Sequence, residues 1–252
     1  INALFGRSGK GDINEQAAAV PAQFWQGLAL AAMLQKETQK SGKDLVITGH
    51  SLGGAVAQAL AGRAPDAVRG LILVATCARL PERADWLPRL LWWLPPVARK
   101  VVFFSLAKKL LFAARAPQEA VLLGLEEIRT CRPETILKDV AAARAMNLEA
   151  MARGLRAPTL ILCGREDRLT PPLLSQRLNE LIPGSRLVLV EGAAHMLPLE
   201  APEQVNRAVL AFVESVAAGT LVRDAAAGAA QGRSALRRLL GWLTSPFRPR
   251  RP

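Results

Sequence analysis

Residues 45–60 read Leu45-Val46-Ile47-Thr48-Gly49-His50-Ser51-Leu52-Gly53-Gly54-Ala55-Val56-Ala57-Gln58-Ala59-Leu60. The apolar opening suits a short buried strand, and the run of small residues suits a helix packed closely on its neighbours. Between them Gly49-His50-Ser51-Leu52-Gly53 fits G-x-S-x-G, the sharp strand-to-helix turn that lifts a serine out of a sheet. A nucleophile in a strained turn crowds the residues two before and two after it. Gly49 and Gly53 are therefore expected to be the positions where a Cβ could not fit.

Outward from this turn the chain alternates. Arg69 to Ala75 is a second apolar run of strand length, separated from the first by a helix that ends near Arg63 and is closed by Pro65. Strand, helix and strand make a βαβ unit, and continuous apolar runs belong to a parallel sheet covered on both faces. The alternation resumes with a strand at Thr159–Cys163, a loop at Gly164–Pro172, a helix from about Leu173 to Leu181 and a strand at Arg186–Val190. A loop carrying His195 follows, then a closing helix from Pro202 to Val216. The fold class is α/β, a mostly parallel sheet with helices on both faces, its core formed by 1–77 and 156–218.

Residues 78–155 break the pattern. Pro81, Pro88, Pro95, Pro96, Pro117 and Pro133 punctuate apolar helical segments that hold Trp86, Trp92, Trp93, Phe103, Phe104 and Phe112. The stretch reads as a helical cap inserted over the sheet; it can pack its own core, line an apolar pocket, or both. Arg89, Arg99, Lys100, Lys108 and Lys109 interrupt every window long enough to span a membrane. Upstream, Phe24 to Lys40 has helical spacing. Residues 219–252 read as a flexible basic tail with a short amphipathic helix from Ser234.

The net charge of +12 is concentrated in two places, 79–117 and 220–252, each carrying about half of it, while the rest of the chain is balanced. That distribution, with no aromatic stacking motif, argues against nucleic acid as a partner. The basic tail, residues 234–252, is either solvated or a weak foothold on an anionic membrane surface. Cys77, Cys131 and Cys163 have neither metal-ligand nor disulfide spacing and are expected to be buried reduced thiols. With no secretory signal at the start, a cytoplasmic, at most membrane-peripheral, location is expected. No cofactor or metal is expected.

A serine hydroxyl is a weak nucleophile and needs an adjacent base oriented by a third group. The chain has only two histidines. His50 adjoins Ser51, so its side chain should diverge from the serine's, which leaves His195 as the base. Asp167, also in a loop after a strand, would orient the imidazole, with Glu166 as the neighbouring alternative.

With these residues in place the chain resembles the α/β-hydrolase superfamily over residues 44–216. The resemblance rests on V-I-T-G-H-S-L-G-G, L-I-L-C-G-R-E-D-R-L-T-P and V-E-G-A-A-H-M and on the order Ser51, Asp167, His195. It implies a capped serine esterase or lipase-like hydrolase of a lipophilic carboxylic ester, lactone or thioester. The acyl-enzyme would form on Ser51, and the backbone N–H of Leu52 would donate to the oxyanion. Class 3 lipases share the elbow wording. Acyl transfer or perhydrolysis with the same triad, and an impaired hydrolase-like fragment tethered by its tail, are alternative readings. Family members have several strands and a His-Gly loop before the elbow. Here Ser51 comes early, so the chain is expected to be truncated at its N-terminus.

Overall fold

The computed structural model describes residues 45–81, 95–131, 139–141 and 143–221. The helix expected at 24–40, the cap tryptophans Trp86, Trp92 and Trp93, and the basic tail 234–252 lie outside the described residues. In chain order the described elements are β1 (Leu45–His50), α1 (Leu52–Arg63), β2 (Val68–Val74), α2 (Pro96–Leu111), α3 (Gln118–Thr130) and α4 (Glu149–Arg153). They continue with β3 (Thr159–Gly164), α5 (Pro172–Leu181), β4 (Arg186–Val190), α6 (Leu197–Glu200) and α7 (Pro202–Ala217).

The four strands form one parallel sheet in the order β1-β2-β3-β4. The apolar runs are continuous because both faces of this sheet are covered, so neither set of alternate side chains meets water. Leu71, Leu73 and Ile161 pack on one face with Ala57 and Ala61 of α1, Ala152 of α4 and Leu178 and Leu181 of α5. Ile72, Val74, Leu160 and Leu162 face the other way, onto Leu197 of α6 and Val205, Phe212 and Val216 of α7. Helices α2 and α3 lie between β2 and β3 in the chain, within the segment read as an insertion. Among the described residues no helix is long and apolar enough to cross a membrane.

Two expectations need correction. Of the three cysteines only Cys163 is buried; Cys77 is half-buried and Cys131 exposed. The second concerns the glycines. A Cβ on Gly49 would lie 2.4 Å from the Gly53 carbonyl oxygen, but a Cβ on Gly53 would meet nothing within 4 Å. Gly53 already belongs to α1 and points outward. The second crowded position is Gly54, whose Cβ would fall 2.6 Å from the Thr76 side chain.

Gly49→Ala should therefore destabilise the protein by about 2 kcal/mol or more, because the obstructing atoms are backbone and cannot turn aside. Gly53→Ala should be neutral or stabilising by up to about 1 kcal/mol, as for an alanine in an open helical position. Denaturant midpoints of the two variants check the contrast.

Candidate active site

The site begins where β1 runs into α1. Ser51 is the hinge residue, with φ 52° and ψ −121°, a conformation that non-glycine residues rarely adopt. Backbone strain of this kind costs on the order of 1–3 kcal/mol and persists only where its surroundings impose it. Here they do. The Ser51 N–H donates to the Val74 carbonyl at 2.9 Å, and the Thr76 hydroxyl donates to the Ser51 carbonyl at 2.8 Å. Because α1 starts at Leu52, that residue's N–H is among the helix-end donors without an intrahelical acceptor. Ala75, which the sequence placed within the second strand, instead turns out of it with φ 46° while its N–H holds Leu162 at 2.8 Å.

Asp167 sits in the loop after β3 and is 3% exposed. Its Oδ1 accepts the N–H groups of Leu169 at 2.9 Å and Thr170 at 2.8 Å, and its Oδ2 accepts the Thr170 hydroxyl at 2.8 Å. These donors replace the water that burial removed. The same Oδ2 lies 3.0 Å from His195 Nδ1, and the Thr170 hydroxyl oxygen lies 3.2 Å from that nitrogen. A carboxylate can only accept, so Nδ1 carries the proton and Nε2 is left as the basic nitrogen. Glu166, the alternative orienting group, turns away and accepts the Ala114 N–H at 3.2 Å.

His195 is 2% exposed, unlike an ordinary loop histidine. Its loop and the Asp167 loop are laced together, Arg165 N–H to the Val190 carbonyl at 2.9 Å and Glu166 N–H to the Ala193 carbonyl at 3.0 Å. His50 reaches the same loop. Its Nε2 donates to the His195 carbonyl at 2.9 Å, and the two rings lie 4.9 Å apart. Burial, and secondarily the neighbouring His195, hold the His50 imidazole below its ordinary value, which keeps it a neutral donor. Among the described residues no hydrogen bond joins the Ser51 hydroxyl to His195. Such contacts commonly tighten only when substrate is bound.

Beside Ser51 opens a cavity of about 190 Å³, walled by Leu52, Ala55, Cys77, Ala78, Leu80 and Leu148 among others. Burial pushes the Cys77 thiol up to about 11, so it is a neutral wall atom rather than a competing nucleophile. Among the described residues no three His, Cys, Asp or Glu side chains gather as a metal site would require. Thr76, Thr170 and the part played by His50 are not among the residues expected from the sequence. Thr170 had a faint local signal, since a threonine three residues after an aspartate can close a turn on its carboxylate.

The family model described as serine aminopeptidase, S33, matches residues 7–202. The pimeloyl-acyl-carrier-protein methyl ester esterase of Neisseria meningitidis is 33% identical over 180 residues, covering 68% of this chain and 70% of that protein. The enzyme of that name from Yersinia pseudotuberculosis is 27% identical over 202 residues, covering 77% and 78%. A solved thermophilic esterase superposes with a TM-score of 0.61 at 31% identity, over 75% of this chain and 73% of that one. The chain belongs to this hydrolase family, has the α/β-hydrolase fold, and is an enzyme of ester hydrolysis.

The environment of His50 has a consequence for stability against pH. Its folded-state value lies below the ordinary 6.5, so the unfolded chain takes up the proton first. Its contribution is complete above the ordinary 6.5 and is lost as the pH falls from there through the lower folded-state value. His50→Gln keeps a donor but cannot titrate. Comparing denaturant midpoints at about pH 7.5 and about pH 5 should give a smaller acid loss for the variant than for the parent.

Proposed function

We propose that the chain is a cofactor-independent serine esterase in which Ser51 is the nucleophile, His195 the general acid–base and Asp167 the group that orients it. His195 Nε2 takes the Ser51 proton as Oγ bonds to the ester carbonyl carbon. The negative charge that develops on the carbonyl oxygen is stabilised by the Leu52 N–H at the start of α1. The intermediate collapses as the imidazolium returns the proton to the departing alcohol. Water then attacks the acyl-enzyme, giving its proton to His195, and the acid leaves as Ser51 is reprotonated.

The observation that carries this reading is the buried Asp167–His195 pair at 3.0 Å beside a serine held at positive φ. Four donors converge on the Asp167 carboxylate and fix it against the His195 ring.

The substrate we infer is a small lipophilic ester. The cavity of about 190 Å³ lies below the roughly 300–1,000 Å³ of sites for drug-sized ligands, and its walls are mostly apolar. Residues 78–155 are read as the cap of this site. Ala78, Leu80, Val140, Met146 and Leu148, all from that segment, share the cavity wall with Ser51 and Leu52, which supports the reading. The names of the relatives suggest that the acyl group is delivered on an acyl carrier protein. We place the enzyme in the cytoplasm, consistent with Cys77, Cys131 and Cys163 being free.

Ser51→Ala should lower kcat/KM on a p-nitrophenyl ester by at least about a thousandfold and abolish labelling by a fluorophosphonate. A variant that kept a tenth of the parent activity would overturn the assignment. In an acyl series the butanoyl and hexanoyl esters should exceed the decanoyl ester in kcat/KM by about tenfold or more, the scale of one poorly seated methylene.

A further inference from the structure

Outside the groups assigned above, one buried charged residue among the described residues touches the site from behind. Glu200, the last residue of α6, is 7% exposed. Its Oε1 accepts the Ala194 N–H at 3.0 Å, one residue before His195. Its Oε2 accepts the Ala113 N–H at 2.7 Å, two residues beyond the end of α2. A single carboxylate thus holds two segments that are far apart in the chain.

Both segments matter to the site. Beside the Ala194 bond, the His195 carbonyl is held by His50, and the Met196 N–H donates to the Leu111 carbonyl at 3.0 Å. Three consecutive residues of the base loop are therefore pinned from outside it. The segment after α2 is just as tightly placed. Phe112 is buried against Gly124 of α3, so close that a Cβ there would come within 2.6 Å of its ring. The Ala114 N–H adds its bond to Glu166, beside Asp167. The junction of α2 and α3 is thereby fastened to the loops that present both Asp167 and His195.

We propose that Glu200 is a positioning residue for His195, clamping the base loop to the α2–α3 junction so that the placement of the base and the docking of these helices are one event. This rests on the reading of His195 as the base. Both N–H groups belong to buried residues, Ala113 7% and Ala194 0% exposed, and loss of the carboxylate removes the acceptor that each of them uses. Burial lifts the Glu200 carboxyl above the ordinary carboxylate range, while the Ala113 and Ala194 N–H groups, in that order, work the other way. A group held against its own desolvation is explained by what it organises.

Glu200→Gln tests the clamp. The amide keeps one acceptor and turns its NH2 toward a backbone N–H, breaking one of the two bonds. Measured well below melting and normalised to Ser51 sites titrated with a fluorophosphonate, kcat on p-nitrophenyl butanoate should fall about tenfold to a hundredfold with KM within about twofold. That is the scale of a base displaced by about an ångström. A purely structural role would lower the melting temperature and leave kcat per titrated site unchanged, which would overturn the proposal.

Should the variant fail to fold, hydrogen exchange on the parent protein decides. The Ala113 and Ala194 amides should open together, with protection factors within about threefold, and a difference beyond about tenfold would overturn the clamp. His195→Ala separates the two readings. If it keeps full activity, the base assignment fails, whereas the exchange result still judges the clamp alone.

Discussion

Everything in this site depends on one backbone angle, the positive φ of Ser51. An L-residue does not choose that conformation; it must be imposed. The imposition comes from the sheet. Pairing of β1 with β2 carries the strand to His50, opposite Val74, and the Ser51 N–H then takes the Val74 carbonyl, one residue beyond the paired register. α1 can start at once only because Gly49 has no Cβ to strike the Gly53 carbonyl. The neighbouring strand repeats the device at Ala75, also at positive φ and also leaving the sheet at its carboxyl end. Two adjacent strand ends are thus bent away together. The cavity opens along that line, bounded by Ser51 and by Thr76, Cys77 and Ala78, the residues just beyond the two bends.

The carboxyl ends of β3 and β4 complete the arrangement for a topological reason. In a parallel sheet every strand delivers its following loop to the same edge, so residues distant in the chain converge without long loops. Asp167 comes three residues after β3 and His195 five after β4. The cross-bonds from Arg165 and Glu166 to Val190 and Ala193 make these loops one layer. A side chain in the role proposed for His195, which must be right to a few tenths of an ångström, is better held by such a layer than by a free loop.

Much of this was legible in the sequence, and the limit has a physical form. The strands were readable because both faces are buried, which leaves an uninterrupted apolar run; Arg186–Val190 agrees residue for residue. The chain order Ser51, Asp167, His195 was readable because it follows from a fixed strand order, and the structure brings Asp167 rather than Glu166 against the His195 ring. What escaped was long-range and local-signal-free. The bond from His50 to the His195 carbonyl spans 145 residues, and nothing in G-H-S announces it. Likewise the pattern pointed to Gly53, but the steric demand falls on Gly54, because it is set by Thr76 arriving from the next strand. Nothing in the local sequence marks Glu200, because its two donors come from segments far apart in the chain.

The two buried carboxylates behind this site, Asp167 and Glu200, differ in what surrounds them, and that difference separates their roles. Asp167 is met by two backbone N–H groups, a hydroxyl and the imidazole, each pointing at it from its own loop or from His195. Its environment is built around a charge, as it must be if an imidazolium is to form beside it. Glu200 is met by backbone amides alone and is raised above its ordinary range by burial. Its donors come from two segments rather than one turn, so its bonds hold structure together more than they solvate a charge. One carboxylate addresses the ring of His195 and the other addresses its backbone. In the proposed role of His195 as the base both contacts serve its orientation, since a ring aimed correctly on a loop that can shift is not aimed at all.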